Sequence, residues 1–315
     1  MTNCVFFASA PLASEKVLVR IYGTCADQFV QREREMFWLC RLSELGIGPR
    51  LLGAFSNGRC EQYLDSTTLT KHDIRSPTTS PLIARALSRV HGLIRSCDPD
   101  QASAPELWDR MRAWYRLATK AAADFSPEQQ ARIAAAGVEV DALGREIERL
   151  QRELVGGGEG PTLVFAHNDA QYGNILQMRS DGSIIVVDYE YSGVNYRGFD
   201  IGNHFCEWAA DYHSPTPHEM NFTHYPTPSE QHTFLDAYLS AQIESGAIPP
   251  PADRESLINL LARESTRFAL CSHLLWGLWG LMQARQSEMI SFDYLGYAVQ
   301  RLGEYFRTRD AVLGL

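Results

Sequence analysis

The sequence lacks paired cysteines, a basic excess and a long apolar run, and each absence excludes a class of protein. Its seven cysteines are an odd number, and none stand at C-x-x-C spacing. This argues against a secreted disulfide framework and against a zinc knuckle. Scattered free thiols fit a reducing compartment, so we predict a cytoplasmic protein. The nine histidines also match no zinc-ligand spacing.

The charge balance and the hydropathy exclude two further classes. With 29 basic and 38 acidic residues the net charge is −9, which argues against nucleic-acid binding. The N-terminus has neither the basic start nor the apolar core of a signal peptide. The most membrane-like run, residues 268–284, contains Ser272, His273 and Gln283 and is short for a span. We therefore predict a buried core helix there and no transmembrane segment.

The chain of 315 residues, 45% apolar and 21% charged, has the composition of a globular protein of about two domains. Short β-branched and aromatic runs surround one helical segment in residues 1–65, which predicts a small β-rich lobe. Residues 66–315 read as mainly helical, with two long helices at 108–123 and 127–154. Strands at 162–167 and 183–191 flank a polar loop. The predicted class is α+β, with the outline of a two-lobed kinase.

The polar loop carries the most informative motif. His167, Asp169 and Asn174 stand at the H-x-D-x-x-x-x-N spacing of a kinase catalytic loop, and Asp188 follows two strands later. Phosphoryl transfer needs a carboxylate facing the acceptor hydroxyl, a role that fits Asp169. It also needs oxygen ligands for Mg²⁺ beside the nucleotide phosphates, a role that fits Asn174 and Asp188. An Asx-rich turn beside an ordinary strand is the alternative interpretation. It would explain the H-x-D motif, Asn174 or Asp188 alone, but not all three in this order.

The sequence resembles the choline/ethanolamine kinase family. The strongest matches are VFAHNDAQYGNIL at 164–176 and VDYEYSGVNYRGFDIGNHFCEW at 187–208, and further matches cover nearly the whole chain. ADYHSPTPH at 210–218 is most similar to plant members. The Asp-Phe-Gly and Ala-Pro-Glu segments of protein kinases are absent, which points away from a protein substrate. The resemblance implies a protein-kinase-like fold, ATP with Mg²⁺, and transfer of the γ-phosphate to choline or ethanolamine.

The resemblance also assigns the nucleotide and catalytic residues. Asp169 becomes the catalytic base, and Asn174 and Asp188 become the Mg²⁺ ligands. Asp200 becomes a structural brace of the catalytic loop through backbone N–H groups. The remaining assignments are Gln171 in the acceptor site, Arg20 in place of the phosphate-pairing Lys, Glu33 as its helix partner with Glu35 as a competitor, and Gln62 at the adenine hinge.

The acceptor site is implied to be aromatic. A quaternary ammonium offers no N–H donor and is held best by aromatic faces, with a carboxylate nearby. Ethanolamine instead offers three donors and needs acceptors. By resemblance Glu207 is the carboxylate, and the cage consists of Tyr191, Tyr212, Trp276, Trp279, Phe292 and Tyr297. Aromatic residues at helical spacing are more often core, so we expect one or two of these to serve packing alone. Choline is favoured, with ethanolamine as an alternative acceptor.

The sequence departs from the family at its start. The family has a Gly-Gly-x-Ser/Thr-Asn loop over the ATP phosphates, and here only Thr2-Asn3 matches it, which leaves Asn3 as a cofactor-binding candidate. We therefore expect the small lobe to lack its first strand and glycine loop. Three readings follow: a truncated product, an enzyme with a reduced lid, or an inactive partner. A kinase for aminoglycosides or sugars is a further alternative, and the oligomeric state is open between monomer and homodimer.

Overall fold

The computed structural model describes residues 3–9, 16–22, 32–97, 104–156, 160–285 and 292–314. Within these ranges the side chains of Asn3 and of residues 32–35 are not described. The described strands are β1 (Asn3–Ala8), β2 (Val17–Tyr22), β3 (Leu51–Phe55), β4 (Gly58–Gln62), β5 (Ser66–Thr68), β6 (Leu163–Ala166), β7 (Ile175–Met178), β8 (Ile184–Val186) and β9 (Gly193–Tyr196). The described helices are α1 (Arg32–Glu44), α2 (Ser80–His91), α3 (Leu107–Ala123), α4 (Pro127–Ala135), α5 (Leu143–Val155), α6 (Arg197–Glu207), α7 (Pro228–Glu244), α8 (Arg254–Gln283) and α9 (Tyr294–Leu313).

The first four strands form one antiparallel sheet in the order β1-β2-β4-β3. β2 and β4 pair with Arg20 opposite Arg59. Since side chains alternate between the two faces of a strand, Glu61 lies on the same face as Arg59, next to Arg20. This sheet therefore brings one acidic and two basic side chains together.

Two smaller antiparallel sheets frame the catalytic loop. β6 pairs with β9, and β7 lies between β5 and β8. The loop of residues 167–174 leaves β6 and enters β7. The predicted strand at 183–191 is shorter than expected, since only Ile184–Val186 pairs as β8. The reason is Asp188, whose φ of 69° is left-handed and incompatible with an extended strand.

The helices build the core of the larger part. α8 is a 30-residue helix that packs against α6, α9 and α3, which confirms the prediction of a buried core helix at 268–284. α6 approaches α8 closely at Gly202, where an added Cβ would lie 2.4 Å from the carbonyl oxygen of Ser265. Only a residue without a side chain allows that separation. This close packing brings polar side chains of α6 within hydrogen-bond distance of α8.

The long helix predicted at 127–154 is two helices. α4 ends at Ala135, and α5 begins at Leu143. Gly137 between them has a φ of +68°, the left-handed conformation that terminates many helices. No helix in the described part of the chain is long and apolar enough to cross a membrane.

Candidate active site

The catalytic loop is held in place by Asp200 in the first turn of α6. This side chain is fully buried. Its carboxylate accepts hydrogen bonds from the backbone N–H groups of His167 and Asn168, both at 2.7 Å, and lies 2.9 Å from His91 Nε2. Burial opposes ionisation of Asp200. The hydrogen bond and charge of His91, together with the charge and backbone N–H of His167, outweigh burial and lower the pKa of Asp200. The predicted brace of the loop is confirmed.

Two non-glycine residues in the segments that carry the candidate site have a left-handed backbone. Asn168, directly before Asp169, has a φ of 67°, and Asp188 has a φ of 69°. No other residue apart from glycine has a positive φ in the part of the chain that the structure describes. Asn168 is fixed by its side chain, which donates to the carbonyl of Tyr191 at 2.9 Å and accepts from Asn195 at 2.7 Å. Such strain persists where the surroundings over-determine the backbone, commonly at functional sites.

Asp169 and Asn174 are joined across the loop. Asn174 Nδ2 donates to the backbone carbonyl of Asp169 at 2.9 Å and to its carboxylate at 3.0 Å. Burial of the carboxylate, followed by the charges of Glu207, Asp188 and Glu190, raises the pKa of Asp169 well above its usual range, and the Asn174 hydrogen bond opposes this only partly. A carboxylate with a raised pKa is a suitable proton acceptor for a hydroxyl.

Asp188 lies opposite Arg20 of the β-sheet. Arg20 Nη1 donates to Asp188 Oδ2 at 3.2 Å, and Arg20 Nε lies 3.5 Å from Glu61 Oε1. Glu61 in turn accepts from Arg59 Nε at 2.5 Å. Burial lowers the pKa of Arg20, but the charge of Asp188 and then that of Glu61 outweigh it and raise the value. Arg20 is thus a buried cation placed between the sheet and the loop.

The expected partner of Arg20 was Glu33, and that side chain lies outside the described residues, as does its competitor Glu35. Among the described side chains, Glu61 of β4 occupies the position of a carboxylate partner for Arg20. A charged residue inside a predicted strand needs a partner, but the strand register chooses it: Arg20 pairs with Arg59, which places Glu61 diagonal to Arg20. We did not predict Glu61.

The donor set beside Asp169 fits a hard cation. Asp188 Oδ1 is buried and makes no hydrogen bond to any residue that the structure describes. The carboxylate of Asp188 and the amide of Asn174 supply oxygen, the donor atom that Mg²⁺ prefers, and phosphate oxygens and water complete such sites. No cluster of three His, Cys, Asp or Glu side chains suited to a metal occurs in residues 3–314 as far as they are described. The residues present therefore fit a nucleotide-bound magnesium ion.

The predicted cage residues form a continuous run of ring contacts. Tyr191 lies 5.4 Å from Trp276, and Trp276 lies 5.7 Å from Trp279, both measured between ring centroids with near-perpendicular planes. Trp279 lies 6.1 Å from Tyr297, which lies 5.8 Å from Phe292. Tyr191, Trp276 and Tyr297 are buried, whereas Trp279, Phe292 and Tyr212 are partly exposed. The structure thus brings five of the six aromatic residues into one cluster within the hydrophobic core, and their role as a ligand cage stays a prediction.

The sixth aromatic residue joins through Glu207. Tyr212 donates its hydroxyl to Glu207 Oε2 at 2.6 Å, and Arg301 Nη2 donates to Glu207 Oε1 at 3.0 Å. Arg301 also donates to the hydroxyl of Tyr297 at 3.0 Å. Glu207 is 2% exposed and Arg301 is fully buried, so the pair is an internal salt bridge. We did not predict Arg301, although its spacing of four residues from both Tyr297 and Tyr305 places it on the apolar face of α9.

The cage residue Tyr191 contacts the loop that carries Asp169, because its carbonyl accepts a hydrogen bond from Asn168 Nδ2. Burial is the main cause of the raised pKa values of Tyr191 and Tyr297, and the charge of Asp169 adds to it for both phenols. Glu207 acts in the same way on Asp169. The charge of Asp169 and the ionisation of the Tyr191 and Tyr297 phenols therefore influence one another.

The remaining predicted side chains have local partners. Gln171 accepts a hydrogen bond from the N–H of Gly173 at 2.6 Å, so its oxygen is used to shape the loop. Gln62 ends β4, and its side-chain oxygen lies 3.3 Å from the N–H of Arg50. The side chain of Asn3 lies outside the described residues.

Comparison with known proteins identifies the family. The family model described as choline/ethanolamine kinase matches residues 1–306. The chain belongs to the choline/ethanolamine kinase family. The resemblance carried by the motifs at 164–176 and 187–208 is therefore confirmed.

Two curated relatives show how far the likeness of this kinase extends. "Probable choline kinase 2" of Arabidopsis thaliana is 39% identical over 317 residues, covering 99% of this chain and 84% of that protein. The choline/ethanolamine kinase of Homo sapiens is 36% identical over 321 residues, covering 98% of this chain and 78% of that protein. The similarity is therefore spread over the chain and is not confined to the two signature segments.

A solved structure supports the predicted fold class. The crystal structure of choline kinase from Cryptosporidium parvum Iowa II matches with a TM-score of 0.81 at 26% identity, covering 100% of this chain and 88% of that one. The predicted α+β, protein-kinase-like fold is confirmed.

Proposed function

We propose that this kinase transfers the γ-phosphoryl group of ATP to the hydroxyl of choline and forms phosphocholine, the first step towards phosphatidylcholine. The observation that carries the proposal is the position of Asp169. Its carboxylate accepts a hydrogen bond from Asn174 of the candidate magnesium pair, and the preceding residue, Asn168, donates to the carbonyl of the cage residue Tyr191. A proton acceptor between a phosphate-side cation site and an ammonium cage fits an amino-alcohol kinase.

In this mechanism Asp169 accepts the proton of the choline hydroxyl as that oxygen bonds to the γ-phosphorus. The bond from the γ-phosphorus to the oxygen bridging to the β-phosphate breaks, and ADP leaves. Asn174 keeps Asp169 oriented through its two hydrogen bonds to the carbonyl and the carboxylate. We propose that the Arg20 guanidinium turns from Asp188 to the nucleotide phosphates when ATP binds, while its contact with Glu61 is kept. Magnesium, held by Asn174 and Asp188, would neutralise charge on the phosphate oxygens.

We assign the remaining nucleotide contacts to the small β-rich lobe, residues 1–65. Gln62 and the backbone near it are proposed to hold the adenine, with Asn3 and Glu33 as further cofactor-binding residues. Gln171 is proposed to line the acceptor site beside Asp169. ATP and Mg²⁺ are thus the proposed cofactors.

The carboxylate in the cage favours choline over ethanolamine. Both oxygens of Glu207 already accept hydrogen bonds, from Arg301 and from Tyr212. A primary ammonium needs acceptors for three N–H groups, whereas a trimethylammonium needs only aromatic faces and a nearby negative charge. Each oxygen of Glu207 keeps one lone pair, so ethanolamine could place at most two of its three N–H groups there. The third would be unpaired among the aromatic rings, which is costly in a desolvated site.

The test is turnover with the two amines, measured as phosphocholine or phosphoethanolamine formed together with ADP. We expect choline to have a kcat/KM at least about tenfold higher than ethanolamine, because one unpaired buried donor costs about 1–3 kcal/mol. Reactions without magnesium and reactions without amine are the controls. An ethanolamine kcat/KM equal to that of choline would contradict the preference. A rate with either amine no higher than with ATP alone would refute the kinase function and favour an inactive partner.

The pH dependence of this reaction tests the role of Asp169. Its pKa is raised, so kcat/KM for choline should fall as the pH is lowered, with a midpoint above the ordinary Asp pKa of about 3.9. Glu207→Gln removes the largest charge contribution to that shift, so the midpoint should move to lower pH. Glu219→Gln, an exposed acidic residue in the loop after α6, is the control and should leave it unchanged. An unmoved midpoint in Glu207→Gln would contradict the assignment.

The proposal also includes the cellular compartment and the oligomeric state. The described cysteines are free thiols, Cys4, Cys40, Cys60, Cys97, Cys206 and Cys271, which favours the cytosol as the compartment. A homodimer is the second proposal, and light scattering of the purified chain would decide it.

A further inference from the structure

We infer that Asn203 is a positioning residue that couples the aromatic cage to the catalytic loop. The inference rests on the proposed choline kinase function. Asn203 lies in α6 and is fully buried. Its side-chain oxygen accepts hydrogen bonds from Trp276 Nε1 at 2.8 Å and from Ser272 Oγ at 2.7 Å. Its Nδ2 group donates to the carbonyl of Asn168 at 3.3 Å. One amide thus links a cage tryptophan to the residue preceding Asp169.

The amide can take only one orientation. Trp276 Nε1 can only donate and the Asn168 carbonyl can only accept, so a flipped amide would leave both unsatisfied, although the Ser272 hydroxyl could still accept. Trp276 and Ser272 are one turn apart on α8 and share a face. The close approach of α6 and α8 at Gly202 makes these contacts reachable. The position of the Trp276 ring is therefore fixed relative to the loop backbone.

Asn203 belongs to a polar face of α6 that contacts the loop on both sides of Asp169. Asp200 holds the N–H groups of His167 and Asn168, and Asn203 holds the Asn168 carbonyl. His204 Nδ1 lies 2.8 Å from the carbonyl of Ala170. Burial lowers the pKa of His204 to about 4, so its ring is neutral near pH 7 and donates from Nδ1. One turn further along the helix is Glu207 of the acceptor site.

This arrangement makes one helix the common support of base and cage. Displacement of a reacting group by about 1 Å can cost about a hundredfold in rate, because the reacting atoms must be held near attack distance. On this polar face of α6, Asn203 is the residue whose single side chain forms hydrogen bonds both to the loop, at the Asn168 carbonyl, and to the cage residue Trp276. Its removal should loosen the cage relative to Asp169 while leaving the nucleotide side intact.

The experiment compares Asn203→Ala, Trp276→Phe and the double variant, with KM measured separately for choline and for ATP. Trp276→Phe keeps an aromatic face and removes the N–H donor. We expect Asn203→Ala to raise the choline KM about tenfold, as one buried hydrogen bond left unpaired implies. The ATP KM should change by less than about twofold, and less phosphocholine should form per ADP released. The double variant should be about as impaired as the more impaired single variant, because both singles remove the same contact.

The control is Ser265→Ala, a buried hydroxyl of α8 that bonds only within its own helix in the described structure, to the carbonyl of Leu261. It should leave both KM values unchanged. Equal rises in the choline and ATP KM of Asn203→Ala, or additive effects in the double variant, would overturn the inference. If Asn203→Ala does not fold, the test is the choline KM of Trp276→Phe. A choline KM equal to that of the wild type in this variant would overturn the inference. A wild type without choline-dependent turnover would contradict the proposed function instead.

Discussion

Asp169→Asn is expected to lower kcat for choline phosphorylation by about 10²- to 10⁴-fold, the usual contribution of a general base. An amide cannot accept the hydroxyl proton, yet its oxygen can still accept the hydrogen bond from Asn174. The nucleotide side should be unaffected, so the variant should still bind ATP. The measurement is the rate of phosphocholine formation at saturating ATP and choline.

The same substitution should raise the Tm at neutral pH. Burial and three neighbouring carboxylates raise the pKa of Asp169, which means that its ionised form destabilises the folded state. Below the ordinary Asp pKa of about 3.9 the group is protonated in both states, and this contribution is absent. As the pH rises from about 3.9 towards the raised folded-state pKa, the free energy of unfolding of the wild type falls, because the unfolded state ionises Asp169 more easily than the folded state does. The Tm advantage of Asp169→Asn should therefore grow from acidic to neutral pH.

Asp181→Asn is the matched control. Asp181 is an exposed aspartate in the turn between β7 and β8, and its side chain accepts from the N–H of Ser183 at 2.9 Å. Its kcat should equal that of the wild type. A kcat for Asp169→Asn within tenfold of the wild type would refute the catalytic assignment. A lowered Tm would show that the Asp169 carboxylate stabilises the fold, contrary to its raised pKa.

Arg301→Met should lower the free energy of unfolding by about 3–5 kcal/mol, the usual cost of breaking a buried ion pair from one side. Arg301 is fully buried, so methionine would leave the Glu207 carboxylate buried with only the Tyr212 hydroxyl as its strong partner. The hydrogen bond from Arg301 to the Tyr297 hydroxyl would be lost as well. Urea unfolding measures the change.

Two further variants separate the buried charge from a general effect of removing an arginine. Arg307→Met removes an arginine of the same helix that is largely exposed and paired with Glu304, and should change stability by less than about 1 kcal/mol. Adding Glu207→Gln to Arg301→Met should restore part of the lost stability, because the uncompensated charge is then absent. A double variant less stable than Arg301→Met alone would contradict this account.

The catalytic loop was predictable because its chemistry is local in sequence. His167, Asp169 and Asn174 lie within eight residues, and Asp188 follows after the β7–β8 hairpin. Because these three residues are so close in sequence, their side chains lie in the same loop whatever the rest of the fold is. The β-rich start and the helical remainder were also predictable, because alternating and helical apolar patterns arise from each element's own period. The helix break at Gly137 and the early end of β8 before Asp188 were not predicted, because each depends on one residue with left-handed backbone.

The sequence by itself determined the motif, the order of its elements and the residue types that phosphoryl transfer needs. The tertiary structure alone decided which distant partners tune them: Glu61 beside Arg20, Arg301 against Glu207, and Asn203 between Trp276 and Asn168. The physical reason is that a buried charge or amide must find a partner, but its identity depends on helix packing and strand register. Those are set by the whole core, and residues 94 positions apart, such as Glu207 and Arg301, meet only there.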